Sequence, residues 1–203
     1  MKRIVALASV CFLLLAPCAI GGEAAETGEY AAAVAAAREA VWKTLTTGGG
    51  SSATVAIMDG GKIVYSECFG AAERATNRPA DKETRFNIGS TSKMFGAAAI
   101  LLLADDGKLG LDDPAAKHLP EFVMRDGRYK EITVRTLFNH SSGLPGSSFI
   151  FEYEPAYDPH ALLLDVLRES DLKHAPGAMG IYCNDGFTLA EMIVERLSGK
   201  KFI

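Results

Sequence analysis

The 203-residue sequence predicts a mixed α/β fold of the α+β type, with a small antiparallel part followed by a mostly helical part. Two β-like runs, at residues 53–58 and 62–69, are joined by an Asp-Gly-Gly turn at residues 59–61, which is a strong hairpin signal. An Ala-rich amphipathic helix is predicted at residues 30–46, before this hairpin. From residue 90 onward, apolar side chains recur mainly at helical spacing.

The second part contains four predicted helices, at residues 90–105, 134–138, 159–172 and 187–197. Pro159 favours a helix start and Gly199 favours a helix end. Residues 71–86 are polar and rich in turn formers, so they are predicted to be a loop. Because no second strong strand signal follows residue 69, we expect a short sheet exposed on one edge, in a domain incomplete at its C-terminus.

The first 25 residues have the pattern of a secretory signal peptide. Lys2 and Arg3 precede an apolar stretch at residues 4–16, and small residues follow it. The apolar stretch is too short to span a bilayer comfortably, which disfavours an uncleaved anchor and stable membrane insertion. Pro17 before Cys18 argues against a lipoprotein site. The predicted localisation is therefore secreted or periplasmic.

Composition argues against several classes of function. A net charge of −4 without a clustered basic face disfavours nucleic-acid binding. The sequence has no C-x-x-C or H-E-x-x-H motif, so no metal or other cofactor is predicted. Cys68 and Cys183 would remain after signal cleavage, and the sequence leaves open whether they pair. It also leaves open the oligomeric state.

Three Ser-x-x-Lys motifs begin at Ser90, Ser170 and Ser198. The second and third lie near predicted helix ends in polar surroundings, where a lysine serves the helix dipole and solubility. Ser90 differs because it follows a glycine and begins the most apolar predicted helix. Its hydroxyl is expected to feel the positive end of the helix dipole, which stabilises an oxyanion.

Lys93 is expected on the same helix face as Ser90, because the two residues are three positions apart. The neighbouring Met94 and Phe95, with the alanines beyond them, are expected to desolvate the lysine amine, lower its pKa and let it take the serine proton. The alternative is a capping serine beside a lysine whose amine reaches solvent.

Tyr182 and Asn184 form the only Tyr-x-Asn motif, between a Pro-Gly turn and a predicted helix. A phenol beside a cationic lysine has a lowered pKa and can shuttle protons, and an asparagine amide can bind a carbonyl oxygen. The alternative is a turn asparagine beside a core tyrosine.

Residues 86–95 resemble the nucleophile segment of the serine β-lactamase and penicillin-binding-protein superfamily, of which Ser-x-x-Lys is the first mark. Three further stretches resemble its class C β-lactamase and esterase/D-Ala-D-Ala carboxypeptidase branch; they are residues 107–114, 137–146 and 176–187. The resemblance covers nearly all of residues 51–203 in the family's order.

This resemblance implies an antiparallel sheet flanked by helices next to a mostly helical subdomain, as in β-lactamases and transpeptidases. Residues 26–203 would be the N-terminal portion of a serine hydrolase domain that acts through an acyl-enzyme. The implied substrates are a β-lactam, a D-Ala-D-Ala-type peptide or a small ester.

The resemblance also implies residue roles. Ser90 is the implied nucleophile, Lys93 its activating partner, Tyr182 the general base and acid, and Asn184 a contact to substrate and lysine. By the same comparison His140 and the loop after it are structural.

Two departures from the family pattern stand out. Cys183 occupies a position where the family usually has serine or alanine. The family's third motif, Lys-Thr-Gly or His-x-Gly, has no counterpart before Ile203, and its strand normally supplies one oxyanion donor. We therefore expect a truncated chain with weak activity, the alternative being a degenerate relative that only binds a β-lactam or peptide. An α/β-hydrolase is disfavoured because Gly-x-Ser-x-Gly is absent.

Overall fold

The computed structural model describes residues 28–146, 148 and 158–202. The predicted signal peptide, residues 1–25, lies outside the described residues. The chain divides into two compact units, one reaching to Asn87 and one starting at Ile88.

The first unit places one helix on an antiparallel sheet. Helix α1 is Ala31–Gly48, followed by strands β1 (Ser52–Asp59), β2 (Lys62–Glu73) and β3 (Arg78–Pro79) in the sheet order β1-β2-β3. The rings of Trp42 in α1 and Phe69 in β2 form a T-shaped pair, with ring centroids 5.8 Å apart. The predicted mixed fold with a short antiparallel sheet is confirmed.

The hairpin forms where the sequence predicts it. Asp59 pairs with Lys62, and Gly60 and Gly61 between them have φ angles of 52° and 76°. Positive φ at both central residues is what a type I′ turn requires, and this turn matches the twist of the flanking strands.

The predicted loop at residues 71–86 is wrong at residues 71–73 and 78–79, which are strand. Strand β2 continues to Glu73, and Ala71 pairs with Pro79 in β3. A two-residue strand containing proline carries almost no sequence signal, since its pairing is imposed by β2 and not by local propensity.

The second unit is helical. Its α-helices are α2 (Lys93–Asp105), α3 (Ala115–His118), α4 (Val134–Phe138), α5 (Pro159–Arg168) and α6 (Asp185–Ser198), with 3-10 turns at Gly89–Ser92 and Gly127–Glu131. A large apolar cluster fills this unit, and its fully buried members include Phe122, Ile132, Leu137 and Ile193.

The structure corrects two helix predictions in this unit. The predicted helix at residues 90–105 is divided, because the backbone N–H of Lys93 donates to Ser90 and Thr91 and so tightens the first turn. The predicted helix at residues 159–172 ends at Arg168, because the N–H of Leu172 donates instead to the Asp126 carboxylate at 3.1 Å.

Within residues 28–146 and 158–202, no helix combines the length and the apolar character needed to cross a membrane.

Candidate active site

Ser90 and Lys93 meet where a 3-10 turn runs into helix α2. The Lys93 amine donates a hydrogen bond of 3.0 Å to the Ser90 hydroxyl. The Ser90 side chain is exposed and Lys93 is half-buried. The contact that the three-residue spacing predicts is therefore present, although the serine lies in the 3-10 turn before the α-helix.

The predicted burial of the lysine amine by Met94 and Phe95 is wrong. Met94 and Phe95 are each 65% exposed, so their side chains do not cover the amine. The Lys93 Nζ lies instead 5.1 Å from the ring centroid of Tyr182 and 5.4 Å from that of Phe187. These aromatic faces stabilise the cation through their quadrupoles.

Tyr182 reaches the same serine from the opposite end of the unit's sequence. Its hydroxyl lies 2.6 Å from the Ser90 hydroxyl, within hydrogen-bond distance. A hydrogen bond with Lys93, a second with Ser90 and the lysine charge lower the pKa of the Tyr182 phenol. The structure thus brings a nucleophile-type hydroxyl, an amine and an acidified phenol together.

Asn184 lies directly before helix α6, two residues after Tyr182. Its backbone N–H donates to the Gly146 carbonyl at 3.1 Å, which ties this turn to the loop after α4. Its expected contacts with substrate and with Lys93 stay predictions.

The sequence alone does not show how the Tyr182 turn is held. Asp185 is 2% exposed, and its two carboxylate oxygens accept the backbone N–H groups of Gly146 at 3.1 Å and Ser148 at 2.7 Å. Burial raises the pKa of the Asp185 carboxyl, while these donors oppose the rise. An acidic residue in a first helical turn signals a helix start, and nothing in the sequence shows that it anchors a distant loop.

The contacts of His140 are likewise not visible in the sequence. Its ring lies against Tyr182, with centroids 4.5 Å apart and planes at 35°. Its Nδ1 accepts the backbone N–H of Cys183 at 3.1 Å. The sequence treats His140 only as a structural residue, and a contact across more than forty positions leaves no local signal.

Across the part of the chain that the structure describes, no group of three or more His, Cys, Asp and Glu side chains is arranged to hold a metal ion.

The chain is similar to known proteins over most of its length. The family model described as Beta-lactamase matches residues 32–203. Penicillin-binding protein 4* of Bacillus subtilis (strain 168) is 33% identical over 156 residues, which cover 73% of this chain and 33% of that protein. The chain therefore spans about a third of the length of this curated relative.

Solved structures show the same fold. The octameric penicillin-binding protein homologue from Pyrococcus abyssi superposes with a TM-score of 0.70 at 26% identity, covering 83% of this chain and 40% of that one. A class C β-lactamase from Rhodobacter sphaeroides gives a TM-score of 0.66 at 26% identity, covering 82% and 45% of the two chains. Since the family model also matches most of the sequence, the chain belongs to the Beta-lactamase family.

Proposed function

We propose that this protein is a serine hydrolase that acts through an acyl-enzyme on a β-lactam, a D-Ala-D-Ala-type peptide or a small ester. One observation carries the proposal: the Ser90 hydroxyl lies within hydrogen-bond distance of both the Lys93 amine and the Tyr182 hydroxyl. A nucleophile in contact with a proton acceptor that a third group orients is the general signature of covalent catalysis.

In the proposed first step, the Ser90 oxygen bonds to the substrate carbonyl carbon while its proton passes to the Tyr182 phenolate. The lowered pKa of Tyr182 supports this role, because Lys93 as a cation stabilises the phenolate that accepts the proton. Tyr182 then donates the proton to the departing amine or alcohol as the carbonyl reforms.

The proposed second step releases the product. A water molecule gives a proton to Tyr182 and attacks the ester carbonyl, and the Ser90 oxygen takes the proton back as it leaves. Asn184 is proposed to bind the substrate, since it lies at the same turn as Tyr182.

Two further lines support the choice of substrate and location. The names of the two relatives described as a penicillin-binding protein and a class C β-lactamase favour β-lactams as first probes. The basic and apolar pattern of residues 1–25 supports export to the periplasm or the medium.

The proposal is tested by labelling the chain with a fluorescent penicillin and a fluorophosphonate and by measuring nitrocefin and p-nitrophenyl ester turnover. Ser90→Ala is expected to abolish labelling. Ser170→Ala is the matched control, because Ser170 begins a second Ser-x-x-Lys motif but donates its hydroxyl to the Val166 carbonyl.

Labelling in the wild type and in Ser170→Ala, but not in Ser90→Ala, supports the proposal. Labelling that survives Ser90→Ala overturns it. Ser90-dependent labelling without turnover would reduce the function to β-lactam or peptide binding by acylation.

A further inference from the structure

We infer that His140 is a positioning residue, whose neutral imidazole holds the Tyr182 phenol on the Ser90 hydroxyl and whose protonation releases it. The catalytic meaning of this inference rests on the proposed function, but the coupling between His140 and Tyr182 can be measured without any reaction.

The contacts of His140 bracket Tyr182 on both sides. The carbonyl of His140 accepts the N–H of Ile181 at 2.8 Å, and its Nδ1 accepts the N–H of Cys183 at 3.1 Å. Its ring lies against the tyrosine ring between these two bonds. One residue therefore fixes the backbone before and after Tyr182 as well as the plane of its ring.

Helix α6 also packs against the His140 imidazole. The Phe187 ring lies 5.3 Å from the His140 ring, and Phe138 meets Phe187 edge-on at 5.2 Å. His140 also has a φ of 60°, in the left-handed region where few non-glycine residues lie. A surrounding structure must stabilise such a conformation, and here it supports a residue that contacts the candidate site.

Only the neutral imidazole can make the bond to Cys183. An accepting Nδ1 requires a lone pair, so the ring proton lies on Nε2. In the imidazolium ion Nδ1 carries a proton that would point at the Cys183 N–H, and the two donors would repel each other. Protonation therefore breaks one of the two backbone bonds that flank Tyr182.

Among the residues that the structure describes, three titratable groups lie around the ring. Lys93 comes from helix α2, while Tyr182 and Cys183 come from the turn before α6; Phe187 adds only an apolar face. Burial, which is the largest cause, and the Lys93 charge lower the pKa of His140. Burial raises the pKa of the Cys183 thiol, which keeps this neighbour neutral. The balance favours a neutral His140 near pH 7.

Two substitutions separate the functions of the ring. His140→Asn keeps an acceptor oxygen near the position of Nδ1, tolerates a positive φ and does not titrate. Losing the ring contact is expected to reduce the fluorescent penicillin labelling rate at most about tenfold. His140→Phe keeps a ring but removes the acceptor, and the resulting misplacement of Tyr182 is expected to reduce labelling about 100-fold.

The direct test follows Tyr182 by NMR in full-length protein carrying 13C at the tyrosine Cζ, with the signal assigned by its loss in Tyr182→Phe. The wild-type signal is expected to shift at the pH where His140 titrates. His140→Asn should abolish this shift. His160→Gln is the matched control and should retain it, because the His160 imidazole pairs with Glu191 at 3.4 Å.

A Tyr182 signal that ignores the His140 titration, or a shift that persists in His140→Asn, overturns the inference even if His140→Phe fails to fold. If coupling is present but Ser90 is never labelled, the inference stands and the proposed function fails. If Ser90 is labelled but no coupling is seen, the proposed function stands and the inference fails.

Discussion

The two units of the chain bury their apolar side chains to very different extents. In the first unit, Val34 and Tyr65 form the buried centre, with Tyr30, Val55 and Ile57 packed partly against them. The second unit has a large cluster that includes Phe122, Leu137 and Ile193, all completely buried. The four candidate site residues all belong to this second, better packed unit.

The tyrosines of the two units show what this difference means for chemistry. The Tyr30 hydroxyl donates to the Asp59 carboxylate at 2.6 Å, and this contact raises its pKa to about 12. Contact with Lys93 and Ser90 instead lowers the pKa of Tyr182. Both phenols make an equally short hydrogen bond, but only the one in the second unit is poised to accept a proton.

The largest expected effect tests this contrast. Tyr182→Phe should reduce the rate of Ser90 acylation about 100- to 10,000-fold, because it removes the general base but keeps the ring against His140. Tyr30→Phe, which removes a phenol hydrogen bond of the same length, should leave acylation unchanged. The measurement is stopped-flow labelling with a fluorescent penicillin, with circular dichroism as the folding control.

The pH dependence of the acylation rate tests the same contrast, because its direction can be predicted. Because the phenolate is the base, wild-type acylation should rise with pH as Tyr182 deprotonates, with a midpoint below the ordinary phenol value of about 10. Equal rates for Tyr182→Phe and Tyr30→Phe would show that the contrast between the two phenols has no catalytic meaning.

Local signals account for the parts of the structure that the sequence predicts well. The hairpin at Gly60 and Gly61, the helix start at Pro159 and the helix end at Gly199 each follow from the conformational preference of one residue. The Ser90–Lys93 contact follows from helical spacing.

Long-range contacts account for the parts that it does not predict. Asp185 anchors a loop almost forty positions away, and His140 supports a tyrosine more than forty positions away. The exposure of Met94 also cannot be predicted from the sequence. An apolar residue is usually expected to be buried, and the sequence does not show whether another part of the chain packs against it. Residue type and spacing identify the reacting groups, whereas their support is visible only in three dimensions.

A matched pair of valines tests the difference in packing. Val34→Ala and Val134→Ala each remove two carbons from a side chain that is 1% or 0% exposed, which costs about 1.6 kcal/mol of transfer free energy. Val134 lies inside the large cluster, so a residual cavity should add roughly 1 kcal/mol to its cost. The partly buried neighbours of Val34 can close around the smaller side chain.

The free energy of unfolding of each valine variant is measured by urea denaturation and monitored separately in each unit by hydrogen exchange. This is necessary because two units need not unfold in one transition. A larger loss of unfolding free energy for Val34→Ala than for Val134→Ala would contradict the ranking of the two cores.

The smallest expected effect concerns the carboxylate that each unit buries. Glu67 is 3% exposed and accepts hydrogen bonds from Arg38 and from the Tyr65 hydroxyl on the same oxygen, Oε2. Asp185 instead uses both oxygens, one for the Gly146 N–H and the other for the Ser148 N–H. The first unit therefore ties its carboxylate to side chains. The second ties its carboxylate mainly to the backbone of a loop, with one longer bond of 3.3 Å from the Ser148 hydroxyl.

An amide has one acceptor oxygen, so the two buried groups should respond differently to neutral replacement. In Glu67→Gln that oxygen can still take both donors and Arg38 is half-exposed, so we expect the smaller loss, about 0.5 kcal/mol, at the low end of the net contribution of a hydrogen bond. In Asp185→Asn one backbone N–H must face the amide NH₂ group. This mismatch should cost about 1 kcal/mol, the low end of the usual range, because Gly146 and Ser148 are themselves half-buried. Hydrogen exchange should locate the Asp185→Asn loss at residues 140–146, 148 and 181–186. A loss of protection confined to other regions would show that this carboxylate does not hold the Tyr182 turn.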